Sequence, residues 1–228
     1  IALLVLIILY LNIRLYHQPQ FVSFGERELN TDLIFHLNYL EEEVQAGAET
    51  EMRQRYPEGF VFLIALYGLT WAELAKSIEP ETELFLRAQR QMDWAMEQLQ
   101  SEITRQSFDK DLSPAYGIFY RGWSNYLLGR RLQSQAADER DMRQVRLLRS
   151  NCRDILQALR RHNSPFLESY PRNASPADMT VAMASVAIYN RLYPGEFQED
   201  IDQWLNEVET LTDRLGLMPH SVNPADGK

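Results

Sequence analysis

Apolar residues fall along this chain in two alternating patterns. In the first, they recur every three or four positions. Residues 81–105 carry Leu84, Ala88, Met92, Met96, Leu99 and Ile103 at that spacing, and 138–161 carry Val145, Leu148, Cys152, Ile155 and Leu159. Residues 198–215 repeat it through Ile201, Trp204, Leu205, Val208, Leu211 and Leu215, and 31–46 more faintly through Leu33, Leu37, Leu40 and Val44. Such spacing gathers one greasy stripe on a helix and leaves the opposite face to water. Each segment is therefore predicted to be an amphipathic helix. In the second pattern nearly every position is apolar or small: FVFLIALYGLTWAELA at 60–75, PAYGIFYRGWSNYLLG at 114–129 and PADMTVAMASVAIYNRL at 176–192. A helix apolar all round must be covered all round. Each of the three is short for a bilayer span, so they are predicted to be the inner helices of a packed core.

The inner helices share a lead-in. Tyr56-Pro57-Glu58-Gly59 precedes the first, Ser113-Pro114-Ala115-Tyr116-Gly117 the second, and Tyr170-Pro171 with Ser175-Pro176-Ala177-Asp178 the third. Ser175 suits an N-cap, Pro176 the first helical position, and Asp178 the third, where a carboxylate answers both the cap and the helix dipole. Pro57, Pro114 and Pro171 are 57 residues apart each time, and Asn223-Pro224-Ala225-Asp226-Gly227 resembles a fourth lead-in. The predicted unit is an antiparallel hairpin of one inner and one outer helix. Its period is longer than those of the common helical repeats. An open, curved array follows if the period is structural, and an irregular bundle if it is fortuitous.

The first residues, IALLVLIILYLNIRL, contain one strong polar interruption, Asn12, before Arg14. The run is shorter than the ~20 apolar residues of a full span and lacks the cleavage site of a signal peptide. It is predicted to be a transmembrane helix over 1–16, incomplete at its start, with Tyr10, Arg14, Tyr16 and His17 at the interface; a buried helix is the competing reading. Residues 17–30 are expected to be a linker and 31–228 the helical domain. No basic cluster flanks the helix: Arg14 is followed by Glu26, Arg27 and Glu28. One flank alone does not satisfy the positive-inside rule, which compares both sides; the soluble part is expected outside the cytoplasm, as a periplasmic domain on a single-pass anchor.

Composition narrows the chemistry. The 228 residues carry 23 Lys and Arg against 32 Asp and Glu, a net charge of −9, which argues against nucleic acid as a partner. One cysteine, Cys152, excludes a disulfide framework and reads as a buried thiol. The four histidines, His17, His36, His162 and His220, show no ligand spacing, so no metal or cofactor is implied. No P-loop, GxGxxG or GxSxG motif occurs. The arginines of 138–161 alternate with acids and read as a solvated face.

The stretch SYPRNASPADMTVAMASVAIYNRLYP at 169–194, with DRLGLMPHSVNPADGK at 213–228, resembles the (α/α) toroid domains of the linalool dehydratase/isomerase-like group. The resemblance covers about 60 residues well and the earlier hairpins by architecture alone. It implies an all-α partial toroid, about half of a closed ring, and an enzyme class acting on carbohydrate or lipid-like compounds.

In such an arc the lead-ins lie at one end, so Tyr56, Tyr116, Tyr120, Arg121, Trp123, Tyr170 and His220 are expected to converge as ligand-binding residues. Glu58 and Asp178 would divide acid and base roles. The plainer reading of both carboxylates is helix capping. Arg121, flanked by Tyr120 and Trp123 on an inner helix, requires a partner or a wet cavity. Two functions follow: a membrane-anchored, non-catalytic subunit or docking surface that meets other protein subunits, or a toroid-class lyase, isomerase or glycan-active hydrolase.

Overall fold

The computed structural model describes residues 2–16, 18–24, 27–225 and 227, and of Arg27 the backbone only. His17, Glu26 and Asp226, invoked above at the membrane interface, its flank and the terminal lead-in, lie outside the described residues. The protein is all-α apart from one small hairpin. In chain order come α1 (Ala2–Leu15), β1 (Phe21–Phe24), β2 (Arg27–Asn30), α2 (Thr31–Gln45), α3 (Ala48–Arg55), α4 (Pro57–Ala75), α5 (Glu83–Gln100) and α6 (Glu102–Arg105). Then follow α7 (Gly117–Gln133), α8 (Met142–Arg160), α9 (Pro176–Leu192) and α10 (Gln198–Glu209).

Local chemistry sets the helix starts. Pro57 and Pro176 occupy first-turn positions, where the missing N–H costs nothing. Thr82 Oγ1 accepts from Phe85 N, the Asp141 carboxylate from Arg143 N at 2.8 Å, and Ser175 Oγ from Asp178 N. Ser101 ends α5 in an extended conformation and caps α6 in the same step.

The three apolar helices lie side by side. Phe62 meets Phe119 and Glu73 meets Arg130, two pairs with the same sequence offset, so α4 and α7 run parallel. Gly122 abuts Ala182 and Gly129 abuts Ile188, so α9 continues the row in the same direction. The outer helices run antiparallel to these. On α5, Gln91 accepts from Tyr67 Oη at 2.8 Å, and Arg87, one turn earlier, lies over Trp71. Across α7 and α8, Asn125 reaches Cys152 while Arg121 reaches Asp154. Phe60, Ile64, Trp71, Leu127, Ile118, Leu148, Ile155, Met179 and Val186 are almost wholly buried in one continuous core. The short α2 joins it through Leu37 and through Glu41, whose carboxylate takes Arg87 and Gln91 of α5.

Four expectations change. The helices begin at residues 57, 117 and 176. Only the first of the evenly spaced prolines starts a helix; Pro114 and Pro171 sit in the turns before α7 and α9. The proline interval survives as the packing register of α4 against α7. The stretch expected to be a linker carries the β1–β2 hairpin, in register Phe21↔Asn30 to Phe24↔Arg27, and buries Leu29 in the core. The inner helices are not covered all round. Phe62 and Leu66 on α4 are exposed, as are Ala177 and Ala187 on α9. Finally, the arginines of α8 are tied to the next hairpin: Arg149 and Arg153 both reach Glu196, and Arg160 reaches Asp200.

Candidate functional site

The residues singled out from the sequence separate into two groups, on different sides of α7. Helical period explains the division. Phe119, Trp123 and Tyr126 follow steps of three and four on one face, whereas Tyr116, Tyr120 and Ser124 follow steps of four on another.

The first group lies at the N-terminal ends of the inner helices. Phe62 packs edge-on to Trp123 at 4.9 Å and to Phe119 at 5.0 Å between ring centres, and Tyr170 lies 5.7 Å from Phe119. Asp178 is buried in the first turn of α9, and its Oδ2 accepts from Ser169 Oγ at 2.7 Å. Burial raises its pKa above the ordinary carboxylate value, against the opposing pull of Ser169, Trp123 and Ser175. The Tyr170 phenol is also pushed up, chiefly by burial and further by the nearby charges of Glu58 and Asp178. Glu58 itself is exposed in the first turn of α4. Two carboxyls, a phenol and an indole thus share one aromatic-floored corner, with the Asp178 carboxyl buried and the Glu58 carboxyl exposed.

Gly117 makes this corner possible. Its φ is +75°, and a Cβ there would sit 2.4 Å from the Ser169 carbonyl oxygen. With no Cβ, the start of α7 closes onto the loop after α8, and Ile118 N donates to Glu168 O at 2.8 Å. Ser169 and Tyr170 are thereby held against α7. The chain end closes the same loop from the other side, through the pairing of Ala174 with Val222.

The second group, Tyr116, Tyr120 and Arg121, lines a cavity of about 220 Å³ between α7, the α5–α6 corner and α8. Arg105, Ser124 and Asn151, which sequence reasoning did not select, line it too. Arg121 has the outer-helix partner that its position demands, Asp154 at 2.7 Å. Burial pushes the Tyr120 phenol up to about 12, against the pull of Arg105, of a hydrogen bond with Ser124 and of Arg121; its hydroxyl donates to Leu99 O at 2.8 Å. Helical phase was the available signal for Ser124, one turn beyond Tyr120.

The remaining two candidates are exposed, as Glu58 is. Tyr56 is exposed immediately before α4, and His220 is exposed in the C-terminal segment. Cys152 is buried, with Asn125 Nδ2 at 3.5 Å from its sulfur, and burial pushes its thiol up to about 12. Among the described residues no cluster of three His, Cys, Asp or Glu side chains has metal-binding geometry.

No protein family, curated protein or solved structure was found to match this chain.

Proposed function

We propose that this chain is a membrane-anchored helical domain, held to the bilayer through residues 1–16 and acting as a non-catalytic subunit or docking surface in a membrane assembly. One observation carries the reading. Every described residue of Ala2–Leu15 is exposed, although almost all are large and apolar. About ten Leu, Ile and Val side chains at roughly −0.5 kcal/mol each favour insertion by ~5 kcal/mol. Asn12, the polar interruption, satisfies its own amide inside the helix by donating to Ile8 O at 2.8 Å. A 14-residue helix is ~21 Å long and covers the greater part of the ~30 Å hydrocarbon core.

Ala2–Leu15 is by itself shorter than a full span, whereas another apolar helix among the described residues is long enough. Pro57–Ala75 is long and apolar enough to span, but more than half of it is buried inside the protein. It is read here as a core helix. The partial (α/α) toroid is proposed on the side-by-side inner helices and the outer helices packed antiparallel to them, with the open face at Phe62, Leu66 and Ala187 offered to a partner protein. The domain is proposed to lie on the periplasmic side, since no cluster of lysines and arginines follows α1.

Carbonate extraction of membranes from expressing cells tests the anchor. The full chain is expected in the pellet, and a chain lacking residues 1–16 in the supernatant. Recovery of the full chain in the supernatant refutes the reading. A C-terminal alkaline phosphatase fusion tests the side, with high activity expected for a periplasmic domain.

A toroid-class enzyme is the second reading, favoured by the gathering of Glu58, Tyr170 and Asp178 at one aromatic corner. Asp178, held protonated more readily than an ordinary carboxyl, would be the acid and exposed Glu58 the base. Unchanged conversion of a carbohydrate or lipid-like compound by both Glu58→Gln and Asp178→Asn removes that reading.

A further inference from the structure

Exposed aromatic side chains crowd towards the N-terminal helix. Beyond residue 16, five are exposed among the described residues, and three of these, Phe21, Phe35 and Tyr39, fall within residues 21–39, at 59 %, 66 % and 60 % exposure. Lone exposed apolar residues are ordinary, but these three stand on a frame fixed to the core. In the hairpin, alternation turns Phe24 and Leu29 towards the core and Phe21 away from it. On α2, Leu37 is fully buried, and Asn38 and Glu41 both accept from Arg87 of α5. The outward stripe of α2 changes character along its length. Phe35 and Tyr39, four residues apart, come first, and the exposed acids Glu42 and Glu43 follow.

The chain keeps this stretch close to the end of α1. Gln20 follows Leu15 by five residues and so lies within ~18 Å of it. Its carbonyl accepts from Thr31 N at 2.9 Å and from Thr31 Oγ1 at 3.1 Å, which ties the start of α2 to that point. Phe21 pairs with Asn30, the N-cap of α2, at the same junction. Phe35 stands one turn beyond Thr31, ~6 Å along the axis, and Tyr39 two turns, ~12 Å. Taking residues 1–16 as the bilayer anchor, a reading on which this inference rests, we infer that the outward side of the β1–β2 hairpin and the first two turns of α2 are seated on the same bilayer, with Phe21, Phe35 and Tyr39 at headgroup depth. Aromatic rings are favoured there, and Tyr suits the place because its ring leaves water while its hydroxyl does not. Glu42 and Glu43 are costly at that depth, so α2 rises out of the interface over its last turns. Because the hairpin and α2 are locked to the core, their seating gives the whole helical domain one fixed tilt on the membrane instead of free swinging on a tether.

Depth-resolved quenching of the full chain in phosphatidylcholine nanodiscs tests the seating. An environment-sensitive fluorophore is attached singly at Phe35→Cys, Tyr39→Cys or Glu43→Cys, Cys152 being buried, and lipids spin-labelled on the headgroup serve as quenchers. Strong quenching is expected at 35 and 39 and little at 43. A label at Leu6→Cys, read with lipids spin-labelled along the acyl chain, reports the anchor separately. Phe21→Ser combined with Tyr39→Ser is expected to at least halve the quenching at 35 while circular dichroism stays unchanged, since both side chains are exposed; closeness imposed by the tether alone would leave that quenching as it was. Quenching at 6 with none at 35 and 39 overturns the seating and leaves the anchor standing. No quenching at 6 removes the anchor reading and the seating with it. Equal quenching at 43, or quenching at 35 that survives the double substitution in full, also overturns the seating.

Discussion

Gly122 is where α7 lies against the backbone of α9, and replacing it by alanine tests whether that contact is as tight as described. The added Cβ would lie 3.2 Å from Ala182 Cβ, 3.2 Å from Ala182 N and 3.2 Å from Asp178 O. Carbon atoms prefer ~3.5–4.0 Å, and two of these three neighbours are backbone atoms of α9, which yield only if the whole helix shifts. Overpacking of this kind costs about 1–3 kcal/mol. Alanine returns up to ~1 kcal/mol in helix propensity. The net expectation is a loss of about 1 kcal/mol, or roughly 2–4 °C in Tm for a chain of this size. Gly59→Ala is the matched control. Its Cβ would meet Met52 Sδ at 3.1 Å and Tyr56 Cβ at 3.3 Å, and the Met52 thioether can swing aside. That variant is expected to match the wild type within ~0.5 kcal/mol or exceed it, on propensity alone. Urea unfolding in mild detergent, followed by circular dichroism, measures both. If Gly122→Ala is as stable as Gly59→Ala, the close approach of α7 and α9 is wrong.

Other substitutions and conditions give equally definite expectations. Asp93→Ala strands the Arg131 guanidinium, 9 % exposed and bound bidentately to that carboxylate; a loss of about 2–3 kcal/mol is expected, and less than 0.5 kcal/mol would show the pair to be idle. Cys152, buried and with its thiol pushed up to about 12, is expected to resist a thiol reagent at pH 8 in the native protein and to react fully in denaturant; rapid native labelling contradicts its burial. Asp178 has a native pKa raised above 3.8 by burial, so the protonated acid favours the folded state. That contribution is complete below the unfolded value and is lost as pH rises through the native one. The stability of the wild type relative to Asp178→Asn is therefore expected to fall as pH rises out of the acid range, and a rising difference would reverse the assignment.

Helix content and the division into inner and outer helices were legible because stripe width is a direct consequence of burial: α8 and α10 each show one narrow apolar face, α4 none. The resemblance to toroid domains gains nothing from the comparisons. The β1–β2 hairpin and the short α3 were not legible. Phe21–Asn30 has no sustained alternation, and Ala48–Arg55 buries no residue, so neither carries a periodic signal. The open side of α4 was missed for a different reason. Composition says that Phe62 and Leu66 are apolar, but only the packing of α5 and α7 on the other faces decides that these two are left uncovered. At the site, proximity in sequence proved a poor guide. Tyr120 and Trp123 are three residues apart yet serve different corners, because α7 is packed on both sides and each of its faces meets a different neighbour.

The division of labour between the two apolar helices can be read in one pair of labels. An environment-sensitive fluorophore is placed at Leu6→Cys or at Leu66→Cys in the reconstituted chain, and quenching by lipids spin-labelled along the acyl chain is recorded for each. Strong quenching is expected at position 6, in the exposed helix assigned to the bilayer, and weak quenching at position 66, on the open face of a core helix. Strong quenching at 66 with none at 6 would put Pro57–Ala75 in the membrane and contradict the fold and the proposed function together.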